Sequence, residues 1–414
     1  MKRLLLLFSV FAAVVTANAQ QKDYETVLAE HPEFLAATDY LCPADAVKLT
    51  PAPKGYKPLF ISHYGRHGAR YAWQSDMYEW LRKVFTKAEE DANLTEYGKE
   101  FKEKFDILYP DVRYRVGDLS RKGFEQQQNL ASRMYSNFPG IFKKDAKVRS
   151  WTSTNPRCIM TMSAFCLGLK ARNPKLDIFE NFGKVFLPAI LPQDSSNPFR
   201  DKNYETTPLS FDETWEQYID RTIDYKPILD RLFIDRDKAL PEKQWDFVSY
   251  LYFFVTGMNS LDSDLDFTAI FTPEERVQLC KIDAFQFYAS AWPTRFGYLP
   301  ILRDIIAKAD ERLEKGEKGA DLRFGHDYTF LPLLMILNVD GMGREAHSGD
   351  EIPEICPLHN VPMGANIHFV FYTGKKKDVL FKVLLNGHEA TLPLETDNWP
   401  YYKWSDFKAR YGNL

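Results

Sequence analysis

Three short apolar runs in this chain each stop at a polar turn, and a segment with helical spacing follows every one. Leu59-Phe60-Ile61 runs into SHYGRHGAR (62–70), Val148–Thr152 into Ser153-Thr154-Asn155-Pro156-Arg157, and Leu322-Arg323-Phe324 into Gly325-His326-Asp327. Strand, turn and helix repeated in this way are the pattern of an α/β core. Ser120 stands where an N-cap belongs for a helix running to about Phe138. Pro156 occupies a first helical turn, where its missing N–H is no loss. Further on, 366–372 and 379–385 alternate like strands, and Asn386-Gly387 is a strong hairpin signal.

From about Pro174 to Trp292 the character changes, as short apolar segments alternate with Pro, Asp and Asn turns and then become mostly helical. The expected organisation is a leader at 1–19, a first part of the core at 20–173, an inserted helical cap at 174–292, and a second part of the core at 293–414. No repeat is evident.

The leader reads as a secretion signal: Lys2 and Arg3, an apolar stretch from Leu4 to Val15, then Ala17-Asn18-Ala19 before Gln20. Its apolar stretch is too short to span a bilayer comfortably. The expectation is a secreted or periplasmic protein, cleaved near Ala19-Gln20 and without a membrane segment in its mature form. Cleavage lowers the formal charge of −4 by two units, because Lys2 and Arg3 leave with the leader. So mild a balance, without a long basic run, argues against a nucleic-acid partner. The five cysteines match neither a zinc pattern nor a dense disulfide framework, and spacing alone cannot pair them. Oligomeric state has no signature here.

The loop at 62–70 admits several chemistries. His63 and His67 lie four apart, but Gly65 and Gly68 disfavour the helix that would align them, no glutamate lies between, and Arg66 and Arg70 repel a divalent cation. No metal is expected. Scaffolding suits His63 alone. For the cluster as a whole, two guanidiniums beside a histidine at a glycine-lined strand end call for an anion. Arginine matches the paired oxygens of phosphate or carboxylate, backbone N–H groups and a following helix N-terminus would add to the pocket, and a neutral imidazole can attack phosphorus. A passive receptor needs the same arginines.

Leu119-Ser120-Arg121-Lys122-Gly123 with Gln126, Ser153–Arg157 with Ser163-Ala164, and Phe324–Asp327 follow RHGAR in order. In this set, from about Pro58 to Leu394, the chain resembles the histidine acid phosphatase family, in its phytase-like and multiple inositol polyphosphate phosphatase branches. The resemblance implies an α/β, phosphoglycerate-mutase-like three-layer core with an inserted, mostly helical cap. It also implies that His67 is the nucleophile, that Arg66, Arg70, Arg157 and His326 bind phosphate, and that Asp327 gives the leaving group its proton. No cofactor is implied, and the partner is a small phosphomonoester. Two positions depart from the family pattern: Ala72 replaces a usual proline, and His326-Asp327-Tyr328 stands where the inositol polyphosphate branch typically has His-Ala-Glu. Without the resemblance, Arg157 reads equally as a surface helix residue and Asp327 as a helix cap.

The expected function is a secreted phosphomonoesterase that acts through a phosphohistidine, with inositol polyphosphates such as phytate first and a broad-range sugar phosphatase second. Arg200 and Lys202 are candidates for holding extra phosphates. A non-catalytic phospholigand-binding protein is the alternative from another class. His388-Glu389, beside the Asn386-Gly387 turn, is expected to lie away from the pocket.

Overall fold

The computed structural model describes residues 23–74, 76–143, 145–374 and 378–414, so the leader lies outside the described residues. Its eight strands are β1 (Tyr56–Arg66), β2 (Lys147–Thr152), β3 (Asp177–Phe182), β4 (Gly319–Gly325), β5 (Asn366–Gly374), β6 (Leu380–Leu385), β7 (His388–Ala390) and β8 (Tyr402–Lys403). They form one sheet in the order β3-β2-β4-β1-β5-β6-β7, with β8 also on β6. The first four are mutually parallel, while β5 turns antiparallel against β1 and the rest continue as antiparallel neighbours.

Period-two alternation divides the sheet between two helical layers. Ile61, Leu322, Phe324 and Val370 point toward the helices Arg121–Asn137 and Pro156–Arg172, meeting Leu130, Met134, Phe165 and Leu169. Phe60, Tyr64, Phe369 and Phe371 point the other way, into a core shared with Leu299–Lys315, Asp327–Leu337 and Trp404–Tyr411. Three layers result, with β4 buried along its whole length between them. Local signals mark the elements: Ser120 caps its helix by accepting from Gly123 N, and Asn386 and Gly387 take positive φ of 52° and 93° in the hairpin turn.

The helical lobe differs from the expected insertion in two respects. Strand β3 pairs with β2 beyond residue 173, so the sheet reaches into the segment assigned to the cap. Its side chains are all half-buried or exposed, as on an outer strand, which gives periodicity little to detect. Conversely, the helices Met77–Glu90 and Glu96–Val112 leave the core early and join the lobe. Phe85 and Phe101 stack there at 5.2 Å, and Phe105 meets Phe254 at 5.4 Å. Amphipathic spacing reveals which face of these helices is buried, but not which neighbour buries it.

Candidate active site

Strand register brings distant motifs together. Arg66, the last residue of β1, lies opposite Gly325, the last of β4, and Thr152 at the end of β2 lies opposite Phe324. The polar turns after all three strands therefore meet at one edge, where open α/β sheets bind ligands. Among the six residues expected at the site, His67, Arg70, Arg157 and Asp327 line a cleft of about 940 Å³ between this edge and the helical lobe. Arg66 and His326 are buried directly behind them, at 0% and 1% exposure.

The loop is held rigidly by its backbone. Arg66 N donates to Ala365 O, His67 N to Gly325 O, Gly68 N to Thr161 Oγ1 and Ala69 N to Gln126 Oε1, at 2.7–3.2 Å. This corrects one expectation: these N–H groups are used within the protein, so the loop offers an anion side chains rather than a backbone cradle. The helix after the loop begins only at Met77, and the nearer helix N-termini are those at Pro156 and Asp327. Gly123 has no room for a side chain, since a Cβ there would lie 2.1 Å from Ala69 O. Gln126 completes the brace by donating through Nε2 to Met363 O at 2.8 Å.

His67 is oriented for attack. Its Nδ1 lies 2.9 Å from Gly68 O, and a carbonyl only accepts, so Nδ1 carries the proton and Nε2 keeps its lone pair. Burial, followed by the charges of Arg157, Arg66 and Arg70, holds its pKa well below the ordinary histidine value. The ring is therefore neutral without losing its cationic surroundings.

The arginines have distinct attachments. Arg66 Nη1 donates to Thr38 O and Val361 O, both at 2.7 Å, while Nη2 pairs with Asp327 Oδ2 at 2.6 Å. Arg70 Nη1 donates to Tyr71 O and its Nε has no protein partner; burial first lowers its pKa to about 10. Arg157 Nη1 donates to Asn155 Oδ1, Nη2 meets His326 Nδ1 at 3.2 Å, and Nε is again without a partner. Arginine can only donate, so His326 Nδ1 accepts and its proton sits on Nε2, 3.4 Å from Cys158 Sγ. Burial, then Arg157, pushes the His326 pKa to about 3. In this geometry His326 orients Arg157 rather than presenting an N–H to the cleft.

Asp327 opens its helix at the first helical position, with His326 as the N-cap residue, so capping does not account for it. Oδ1 accepts from Tyr328 N at 2.7 Å. Burial raises its pKa, but Arg66 and Arg70 outweigh that effect and hold the carboxyl below its ordinary range.

Sequence reasoning missed two acidic neighbours. Asp39 lines the cleft at 6% exposure and accepts from Thr256 Oγ1 at 2.8 Å. Asp283, 4% exposed, has no hydrogen-bond partner on either oxygen, and burial, then Asp39 and Asp327, drives its pKa well up. No motif could have revealed them, because packing alone brings them to the guanidiniums. His63 joins the scaffold, tilted against His368 at 4.9 Å. Arg200 and Lys202 are absent from the cleft lining, and Arg200 instead donates to Gln193 Oε1 at 3.2 Å. Glu389 is tied to Thr50 and Lys382, so the His388-Glu389 pair contributes nothing to the cleft. All five cysteines are free and buried. No helix among the described residues is long and apolar enough to cross a membrane.

A neutral histidine ringed by guanidiniums at the end of a parallel sheet defines a histidine phosphatase, a class of phosphoric monoester hydrolases. The chain belongs to the histidine phosphatase superfamily (branch 2), whose sequence model matches residues 65–386. It is 22% identical over 340 residues to human multiple inositol polyphosphate phosphatase 1, covering 72% of this chain but 66% of that protein, just under two thirds of its length. In fold it resembles the multiple inositol polyphosphate phosphatase of Bifidobacterium longum solved with inositol hexasulfate. That match has a TM-score of 0.72 and 16% identity over 92% of this chain and 97% of that one. It also resembles the phytase of D. castellii, with a TM-score of 0.68 and 16% identity over 99% and 90% of the two chains.

Proposed function

We propose that this chain is an exported phosphomonoesterase acting on inositol phosphates through a phosphohistidine intermediate. The observation that carries this reading is the free Nε2 lone pair of neutral His67 among Arg66, Arg70 and Arg157, with Asp327 alongside. A purely binding pocket has no use for such a nucleophile and acid. The leader and the relatives' names support export and the substrate class.

In the first step the guanidiniums hold the phosphoryl oxygens and neutralise charge as it spreads in a loose transition state. His67 Nε2 attacks phosphorus in line, the P–O ester bond breaks, and Asp327 gives its proton to the leaving oxygen. Water then attacks the phosphohistidine, Asp327 takes its proton, and inorganic phosphate leaves with His67 restored. Asp327 is ionised in the empty site, so it must gain a proton as substrate binds. The phosphate's negative charge counters Arg66 and Arg70 and raises the carboxyl pKa, which favours mildly acidic pH. His326 serves the phosphate through Arg157, and direct contact requires its ring to leave Cys158.

Rapid trapping with a labelled phosphomonoester tests the nucleophile. Wild type is expected to yield an alkali-stable, acid-labile phosphoenzyme and His67→Ala none. Unchanged turnover in the variant, with no adduct in wild type, would refute it.

A further inference from the structure

The phosphate pocket occupies only the base of the cleft, and the wall above it has a different chemistry. That wall comes mainly from Trp73, Gln74, Asp76 and the first turns of the helix Met77–Glu90, and from the start of the helix Gln244–Gly257. Its charges are Lys83 and Lys243 against Asp76, Glu79 and Asp246. An inositol hexakisphosphate anchored by one phosphate must place the other five near this cleft, each carrying about −1.5 to −2 charge. Two lysines facing three carboxylates give those groups no net positive field, and the carboxylates repel them at short range.

The same wall suits the opposite kind of ring. Carboxylates accept hydrogen bonds, and a free hydroxyl can donate one where an ionised phosphate oxygen cannot. Tyr250 lines the cleft with Asp76 and Asp246, and both carboxylates raise its hydroxyl pKa after burial does. Trp80 stands edge-on to it, with centroids 5.2 Å apart and planes at 84°. Trp73, 50% exposed, also lines the cleft and offers a broad apolar face to the C–H side of a saturated ring.

Resting on the phosphatase reading above, we infer that the cleft selects lightly phosphorylated polyols, a hexose or inositol ring with one phosphate and free hydroxyls, over the hexakisphosphate. Asp76, Glu79 and Asp246 are the specificity-determining carboxylates, and Trp73 and Trp80 the ring platform.

The test compares kcat/KM for glucose 6-phosphate, inositol monophosphate and inositol hexakisphosphate on the full mature chain. Methyl phosphate, too small to reach the wall, serves as the internal reference for every variant. Wild type is expected to favour the monophosphates by at least tenfold. In D76N/E79Q/D246N the hexakisphosphate value, divided by that variant's own methyl phosphate value, is expected to rise at least tenfold. In W80A the same normalised value for glucose 6-phosphate should fall through KM. Equal or better use of the hexakisphosphate by wild type, or an unmoved ratio in the triple variant, overturns this inference and leaves the phosphatase reading standing. Absence of turnover on every monoester, methyl phosphate included, overturns the phosphatase reading itself.

Discussion

Arg66 Nη2 lies 2.6 Å from Asp327 Oδ2, so the proposed proton donor begins as a carboxylate held by a guanidinium of the phosphate pocket. Substrate and Asp327 compete for this cation. A phosphate that draws Arg66 away also removes the largest of the charges that keep Asp327 ionised. Binding and acid activation are thus two aspects of one exchange.

Asp327→Asn should therefore depend on the leaving group. With an alkyl phosphate kcat should fall about 10²–10⁴-fold, the usual contribution of a positioned acid. With 4-nitrophenyl phosphate, whose leaving group needs no proton, phosphorylation of His67 should persist in a single-turnover burst. Equal losses on both esters would remove Asp327 from the acid role.

The ion pair also has a sign in stability. The folded pKa of Asp327 is depressed, so its contribution is present above the ordinary carboxylate pKa and is lost as pH falls through the lower folded value. Urea unfolding of unliganded wild type and Asp327→Asn should show the largest difference near neutrality. The two should converge below the carboxylate range.

Buried neutral histidines cost stability in the same direction, beginning at higher pH. Both ring nitrogens of His63 and of His368 lack hydrogen-bond partners, and burial lowers the pKa of His368 to about 3. Below pH 6.5 the unfolded chain takes up a proton that folded His368 refuses until about pH 3, so stability falls across that interval. His368→Leu should flatten the pH dependence there by up to about 1.4 kcal/mol per pH unit. An unchanged slope would mean that His368 is charged in the fold.

Gly123→Ala tests the brace under the loop. The added methyl meets Ala69 O and must push the loop or the helix aside, at a typical overpacking cost of about 1–3 kcal/mol. Because Ala69 lies between His67 and Arg70, kcat on methyl phosphate should fall as well. Loss of stability with kcat intact would show that the loop tolerates the shift.

The legible parts of this molecule were those encoded over a few residues. Ser120 as N-cap, Pro156 in a first turn and Asn386-Gly387 as a hairpin turn depend only on neighbours, and each occupies that position. The six expected site residues gather because strand ends carry them, and the order of their motifs supplied the link. Asp39, Asp283 and the carbonyls of Thr38 and Val361 lay beyond reach, since tertiary packing alone brings them to Arg66 and Arg70. The use of the loop's own N–H groups was likewise hidden, because their acceptors, including Gly325, Thr161 and Gln126, come from other segments.

The strand order β2-β4-β1 also has a temporal consequence. As the chain emerges from its N-terminus, β1 and β2 exist for some time without touching, because the strand that separates them is made much later. When β4 arrives it wedges between them and carries His326-Asp327 on its end, so the last parallel strand to be synthesised both joins the parallel half of the sheet and brings the acid to the nucleophile. A nascent chain that stops short of residue 319 leaves β1 without a neighbour on either edge and β2 open on one, and has no competent centre. Recovery of activity during refolding should thus report the insertion of this one strand.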